Sequence, residues 1–409
     1  MRVNYIRNWS IGLMVILASS ILADADTVKN STPAKEPGAL RLSEQWRVGG
    51  DNSEILLGVV SEAVSDDNGN IYILDNQLCR VSVISPEGEH IATLSREGDG
   101  PGEVRTPRDV VILDDGSVGI APLFPSKLVR LTPDGTPLPS FIMGGKDGDT
   151  TTPYVTIGCE TRAGVLLMAG HHSVPSDLGQ DRNHFLRTVA KDGTLNAPLR
   201  ESEEILDFTS MRVEEKDVLP AFHIAHAIGP DGRIYTPRSR DEYIIEVYNP
   251  DGDLEQVIER EFNNRDRTSR ETNRIKAVFA AASRQVPGEL NGIVEPKNPV
   301  IASLFVDNNH RLWVQNSHSA DNLPDGVFMT YDVFNADGRF DQQISVFCEG
   351  DPAYDELKFL PDGRVLLIKG LVLARWSAFD FGTVDWGDEE DDMSSMEIIC
   401  FTAETSNKK

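Results

Sequence analysis

The chain has 409 residues, 40% of them apolar and 25% charged, and acidic side chains outnumber basic ones 65 to 39, for a net charge of -26. That balance excludes nucleic acid and anionic membrane as main partners, because both repel an acidic surface. Four cysteines, Cys79, Cys159, Cys348 and Cys400, are too few and too dispersed for a disulfide scaffold or a metal knuckle; either Cys348 pairs with Cys400 or all four are buried thiols.

From the N-terminus, Arg2 and Arg7 precede an apolar run from Ile11 to Leu22 and then Ala23-Asp24-Ala25, a small-x-small cleavage pattern. The run is too short to span a bilayer. Residues 1–25 therefore read as an export signal, which places the protein in the periplasm or outside the cell with no transmembrane segment after cleavage. Residues 26–38 are polar with two prolines and read as a disordered linker.

The segment 39–403 reads as one all-β domain, because a turn followed by an alternating apolar strand recurs six times along it. The copies begin at Asp67-Asn68-Gly69, Asp115-Gly116, Ala163-Gly164, Asp231-Gly232, Asn309-His310 and Asp362-Gly363. The first five are followed by a second turn, at Pro86-Glu87-Gly88, Pro133-Asp134-Gly135, Lys191-Asp192-Gly193, Pro250-Asp251-Gly252 and Ala336-Asp337-Gly338. Asp/Asn-Gly pairs suit the positive φ angles of a tight primed hairpin turn. Two hairpins make a four-stranded antiparallel blade, and six blades must stack around an axis to bury their faces. The sixth copy is followed only by Met396 to Phe401, without a second turn. Leu40, Leu42, Trp46 and Val48 alternate in the otherwise unassigned segment 40–48, which is expected to close the ring as the outer strand of the last blade. Residues 404–409 are a tail.

Between the first two copies, Arg96-Glu97-Gly98-Asp99-Gly100-Pro101-Gly102-Glu103-Val104, followed by Pro107 and Asp115-Gly116, resembles the G-x-G-P-G-E-F…P…D-G inter-blade signature of NHL-type propellers. It is similar also to exported bacterial proteins known only as six-bladed β-propellers. The full signature occurs once, with Val104 where the family has phenylalanine. The resemblance implies a fold and no single activity, since such propellers include scaffolds, ligand binders, lyases and lactonases.

The irregular spacings point to a working face. Gly69 to Gly88 and Gly116 to Gly135 span 19 residues, but Gly164 to Gly193 spans 29 and His310 to Gly338 spans 28. Between blades, Gly193 to Gly232 spans 39 residues and Gly252 to His310 spans 58. Both kinds of insertion emerge on the rim that carries the B-to-C and D-to-A connections, and clustered long loops carry function. In the longest, about 265–285, Ile275, Val278, Phe279 and Ala282 recur at helical spacing, predicting one helix between blades four and five. From Arg260 to Gln285 seven basic residues face three acidic ones. Arg270 and Arg274 there, with Arg238 and Arg240 of blade four, could grip an anion; equally, this helix could pair with the acidic run Asp388 to Asp392.

Other candidate site residues are His171 and His172 after strand B of blade three, with His184 nearby, and His318 in the matching loop of blade five. His223 and His226 are expected on the innermost strand of blade four, and Glu62, Arg108, Asp109 and Glu356 on other innermost strands. Imidazoles near a channel can bind a metal or move protons. No spacing supports a metal set or a bound cofactor, so none is expected, calcium and zinc standing as the alternatives. The favoured reading is a non-catalytic binding module for a small anionic ligand, a glycan or a protein; the other is a lyase or lactonase-type enzyme working at the channel through His223, His226 and Arg108.

Overall fold

The computed structural model describes residues 25–51, 53, 55–144, 153–283, 290–372, 374 and 396–404. The expected signal through residue 24, the end of the tail, Arg284 and the acidic run Asp388 to Asp392 lie outside the described residues.

Repeated turns order most of the chain. Strands β1 (Asp26–Asn30) and β2 (Gly38–Gly49) come first. Then β3 (Val60–Ser65), β4 (Ile71–Asp75), β5 (Arg80–Ile84) and β6 (His90–Leu94) form one antiparallel sheet in sequential order. The same meander is made by β7 (Pro107–Ile112), β8 (Val118–Pro122), β9 (Lys127–Leu131) and β10 (Pro137–Ile142). It recurs with longer strands in β11 (Tyr154–Arg162), β12 (Val165–Pro175), β13 (Gly179–Val189) and β14 (Leu195–Asp207). An insertion with β15 (Arg212–Glu214), α1 (Glu215–Val218) and α2 (Ala221–Ile224) leads to a fourth sheet of β16 (Ala227–Ile228), β17 (Ile234–Pro237), β18 (Ile244–Tyr248) and β19 (Leu254–Arg260). Next comes the longest insertion, with α3 (Ser269–Ser283) and β20 (Asn291–Ile293). The chain then completes an eight-stranded sheet from β21 (Ile301–Val306), β22 (Leu312–Asn316), β23 (Val327–Phe334), β24 (Phe340–Phe347), β25 (Glu356–Phe359), β26 (Val365–Lys369) and β27 (Glu397–Ala403) together with β2.

The arrangement is all-β and propeller-like. Where the sequence predicts six separate four-stranded sheets, the last two are continuous through β2. Its first residues, Gly38 to Arg41, pair in parallel with Ile344 to Phe347 of β24, and Leu42 to Gly49 run antiparallel to β27. Of six apolar clusters, one lies within the eight-stranded sheet and the others between successive sheets, the last packing Val60, Ile71 and Ile73 against Leu366, Ile368 and Ile398 and so returning to the first sheet.

Three expectations need correction. The turns are mostly not primed: in ten of eleven hairpins the glycine, or His310 in its place, donates its N–H three residues back, as in Gly69 to Asp66 O (3.0 Å) and His310 to Asp307 O (3.0 Å). Only that residue has positive φ, as in Gly69 (80°) and His310 (57°), so each is a type I turn closed by a left-handed bulge residue. The two-residue primed form occurs only at Ala163 (51°) and Gly164 (80°). Second, residues 26–38 are not a disordered linker. Strand β1 pairs in parallel with β19, and the Ala34 and Lys35 amides bond to Phe340 O and Asp341 O. A polar segment with little apolar surface is held here by the open hydrogen-bonding edges of β19 and β24, and by Asn30, whose Nδ2 donates to Gly338 O (3.0 Å) and whose Oδ1 accepts from the Phe340 amide (2.9 Å). Third, Cys348 and Cys400 are separate thiols, like Cys79 and Cys159. Cys400 faces the cluster shared with the first sheet, whereas Cys348 packs against the cluster before it.

Candidate functional site

The innermost strands share a device that sequence alone does not display. In β3, β7, β11 and β21 the pairing register slips immediately before Glu62, Asp109, Gly158 and Ser303. Such bulges re-aim side chains and free backbone groups. Glu62 Oε1 and Asp109 Oδ1 each accept the amide of the next residue, at 2.7 and 2.8 Å. Asp109 Oδ2 also accepts the Cys159 amide of the neighbouring sheet (2.9 Å), and Glu160 Oε1 accepts the Ile228 amide of the sheet after that (3.0 Å).

Lys358 of β25 reaches across to Glu62 at 2.6 Å and also feels the carboxyl groups of Asp109 and Glu160. Burial raises Asp109 to about 8, with the charge of Glu62 adding to it, and burial raises Glu160 to about 7. Burial alone would lower Lys358, but Glu62, Asp109 and Glu160 outweigh it and hold the lysine above its ordinary value. Glu62 and Asp109 are legible in the sequence as innermost-strand candidates; Glu160 and Lys358 are not, although both lie on innermost strands, because only the ring brings their strands together. Arg108 is the extra residue of its bulge, and burial lowers it.

A pH dependence follows from these raised carboxyls. In the unfolded chain Glu160 loses its proton at about 4.3, while in the native state it keeps it to about 7. Between those values the native state holds the extra proton, so stability falls as pH rises. The Glu160→Gln variant keeps an acceptor for Ile228 and is expected to flatten this fall, with urea midpoints converging with wild type near pH 4 and exceeding it near pH 8. Parallel wild-type and variant curves across that window would show that Glu160 is ionised throughout.

The histidines do not assemble at the axis as expected. His223 lies in α2, not on an inner strand, and its Nε2 faces Gly170 O (3.0 Å) and Phe185 O (3.2 Å) of β12 and β13. His226 precedes β16 and is near enough to the axis to feel Lys358 and Glu62; its Nδ1 donates to Phe222 O (3.1 Å), and burial lowers its pKa. His171, His184 and His223 form a ladder with ring centroids 5.2 Å apart at each step, and His184 Nε2 meets Glu204 at 2.9 Å. Burial depresses His171 to about 3 and His223 well below its ordinary value, so these two rings are neutral near pH 7. His172, on the opposite side of β12, stacks on Tyr154 at 4.4 Å. His318 is held between Asp321 (2.8 Å) and Asn263 O (2.7 Å). Among the described residues no group of three or more His, Cys, Asp or Glu side chains is placed to hold a metal ion.

The arginines of the insertions serve the fold. Glu215, at the start of α1, accepts Arg240 (2.7 Å), both terminal nitrogens of Arg267 (2.6 Å each) and the Glu295 amide (3.0 Å). Arg238 is paired with Glu246 at 2.7 Å, and Arg265 with Glu271 at 2.8 Å. Arg270 and Arg274 lie over the Tyr354 ring, and Arg274 donates to Ala353 O (2.7 Å). In α3, Ile275 is buried and Phe279 lies over Gly292, so the predicted apolar stripe is the docked face.

The loop-bearing rim exposes most of the large apolar side chains that meet solvent. Seven large hydrophobic residues are exposed among the described residues: Leu56, Ile91, Phe124, Val174, Leu178, Ile205 and Phe208. All but Ile91 sit on, or at the strand ends of, B-to-C or D-to-A connections. Four of them crown the third sheet, where the expected long loop is instead a β-ribbon: Val174 to Pro175 pair with Gln180 to Asp181, and Gly179 to Asp181 with Ile205 to Asp207. The signal available in sequence was the 29-residue spacing, read as loop because alternation is weak where both faces of a ribbon meet solvent.

No family model matches the chain. No curated protein matches it either. Among solved structures, a protein assigned as exported from Bacteroides fragilis superposes with a TM-score of 0.47 at 10% identity, covering 93% of this chain and 100% of the other. A DUF4221 family member from Bacteroides vulgatus gives 0.48 at 10% identity over 90% and 99% of the two chains, and virginiamycin B lyase from Staphylococcus aureus gives 0.40 at 11% over 87% and 98%.

Proposed function

We propose that this chain is an exported, six-bladed, NHL-like β-propeller that acts as a binding module through the face carrying its long connections. Six apolar clusters in cyclic order support six blades, with the eight-stranded sheet counted as two blades that share β2. No described helix is long and apolar enough to cross a membrane.

The observation that carries the binding reading is the gathering of Leu56, Phe124, Val174, Leu178, Ile205 and Phe208 on one rim. Contiguous exposed apolar surface marks an interaction site, and four of the six, Val174, Leu178, Ile205 and Phe208, share one ribbon. A protein partner or glycan suits that rim better than a small anion, because Arg238 and Arg240 already hold Glu246 and Glu215. Hydroxyl-radical footprinting of the protein in its native exported fraction, against the purified protein, is the test. Protection is expected at these six side chains, and protection confined to the opposite hairpin rim would remove the reading.

A lyase or lactonase-type activity at the channel is the second reading, favoured by the raised carboxyls of Asp109 and Glu160 beside Lys358. Lactone turnover by the wild type that drops about 100-fold in Glu160→Gln would support it; equal turnover in the two would count against it.

A further inference from the structure

We infer that the ribbon of the third sheet is an arm whose apolar tip docks into a basic-rimmed apolar cleft on another protein. This inference rests on the loop-bearing face being the working one, and it names the occupant. Strand β12 has 11 residues where β4 and β8 have five, so six extra residues carry the ribbon about 20 Å beyond the ends of its counterparts.

The lower part of the arm is stiffened. Buried His184 pairs with Glu204 at 2.9 Å, Arg182 lies 3.5 Å from the same carboxylate, and α2 packs against β12 and β13. At the tip, Val174, Leu178, Ile205 and Phe208 are 40%, 50%, 62% and 56% exposed, and they occupy both faces of the ribbon. Register places Val174 and Ile205 beside Asp181 on one face, while the Phe208 amide bonds to Leu178 O (2.9 Å) at the end of the turn. A knob apolar on two faces fits a cleft better than a flat surface.

Charge selects among occupants. Exposed Asp177 and Asp181 lie at the tip, and exposed Glu203 and Glu201 follow two and four residues below Ile205 on β14, in a chain of net charge -26. The basic side chains nearest it are engaged, Arg182 with Gln180 and Glu204, and Arg212 with Glu214. Two copies meeting tip to tip would oppose Asp177 and Asp181 of each, and an anionic lipid surface would repel the same rim. A partner with lysine or arginine around an apolar cleft satisfies both the apolar tip and its acidic collar.

The test places a photo-crosslinking phenylalanine analogue at Leu178 of the full chain, made in its own exporting cell, with the same analogue at Phe124 and Ile91 as companions. The expected result is an adduct at Leu178 whose mapped partner peptide is apolar with flanking Lys or Arg. Its yield should fall at least tenfold in Ile205→Asp/Phe208→Asp and equally in Asp177→Lys/Asp181→Lys. An adduct with a second copy, with lipid, or with a peptide lacking basic flanks overturns the inference. Adducts at Phe124 without any at Leu178 overturn the arm and leave the binding face standing. Adducts only at Ile91, or none at all, remove both.

Discussion

Replacing Glu215 by alanine is expected to destabilise the protein by about 3–5 kcal/mol, the loss found when one partner of a buried ion pair is removed. Glu215 and Arg267 have side chains 4% and 3% exposed, and Arg240 is 8% exposed. The variant would leave two guanidinium groups out of water with no carboxylate between them. The cost exceeds that of the missing hydrogen bonds, because uncompensated buried charge dominates. Glu215→Gln should fall in between, since it keeps shape and one acceptor but no charge. Arg267 and Arg240 hold the Glu215 carboxyl below its ordinary range against the opposing effect of burial. Its stabilisation is therefore complete above the unfolded value of about 4.3 and lost as pH falls through the lower native value. Urea denaturation at pH 7, compared with the exposed-pair variant Lys35→Ala, measures the difference. A Glu215→Ala loss under about 1 kcal/mol, matching Lys35→Ala, would mean that the two insertions are not tied through this carboxylate.

The second large effect is expected at the seam between the last sheet and the first. Trp46→Ala should cost about 3–5 kcal/mol, as for other large-to-small aromatic changes. Trp46 lies on β2, is 9% exposed, and packs in the cluster that joins Val60, Ile71 and Ile73 to Leu366, Ile368 and Ile398. Its indole Nε1 donates to Pro86 O at 2.9 Å, so it ties the closing strand to the turn of the first sheet. Gly88 in that turn completes the fit, since a Cβ there would meet Trp46 Cγ at 2.6 Å and the backbone has φ of 90°. Gly88→Ala should therefore destabilise through both the clash and the left-handed backbone, whereas Trp46→Phe should recover most of the packing and lose about 1 kcal/mol with the hydrogen bond. Hydrogen exchange is the second readout. Opening the seam should release β2 and β27 before the remaining strands, and uniform loss of protection would place the weak point elsewhere.

Much of the architecture was legible because turn chemistry and alternation are local. The eleven hairpins lie where Asp, Asn and Gly occur, and β2 lies beside β27 because Trp46 and Val48 alternate in a segment with no other partner. Local chemistry was misread where glycine alone carries the positive φ, and at Asp26 to Asn30, where an unpaired sheet edge orders a polar segment through backbone bonds.

Sequence by itself determined the all-β class, the turn positions, the helix over α3 and the rim on which the insertions emerge. Those follow from residue type and spacing, which act over a few neighbours. Tertiary structure decided the site. The Glu62, Asp109, Glu160 and Lys358 group draws on four strands spread over about 300 residues, and Glu215 of one insertion meets Arg267 of another and Arg240 of the loop between β17 and β18. Whether an arginine grips a ligand or a carboxylate of its own chain, and whether an apolar side chain is buried or offered to a partner, depends on what the ring places opposite it, and spacing along the chain does not encode that distance.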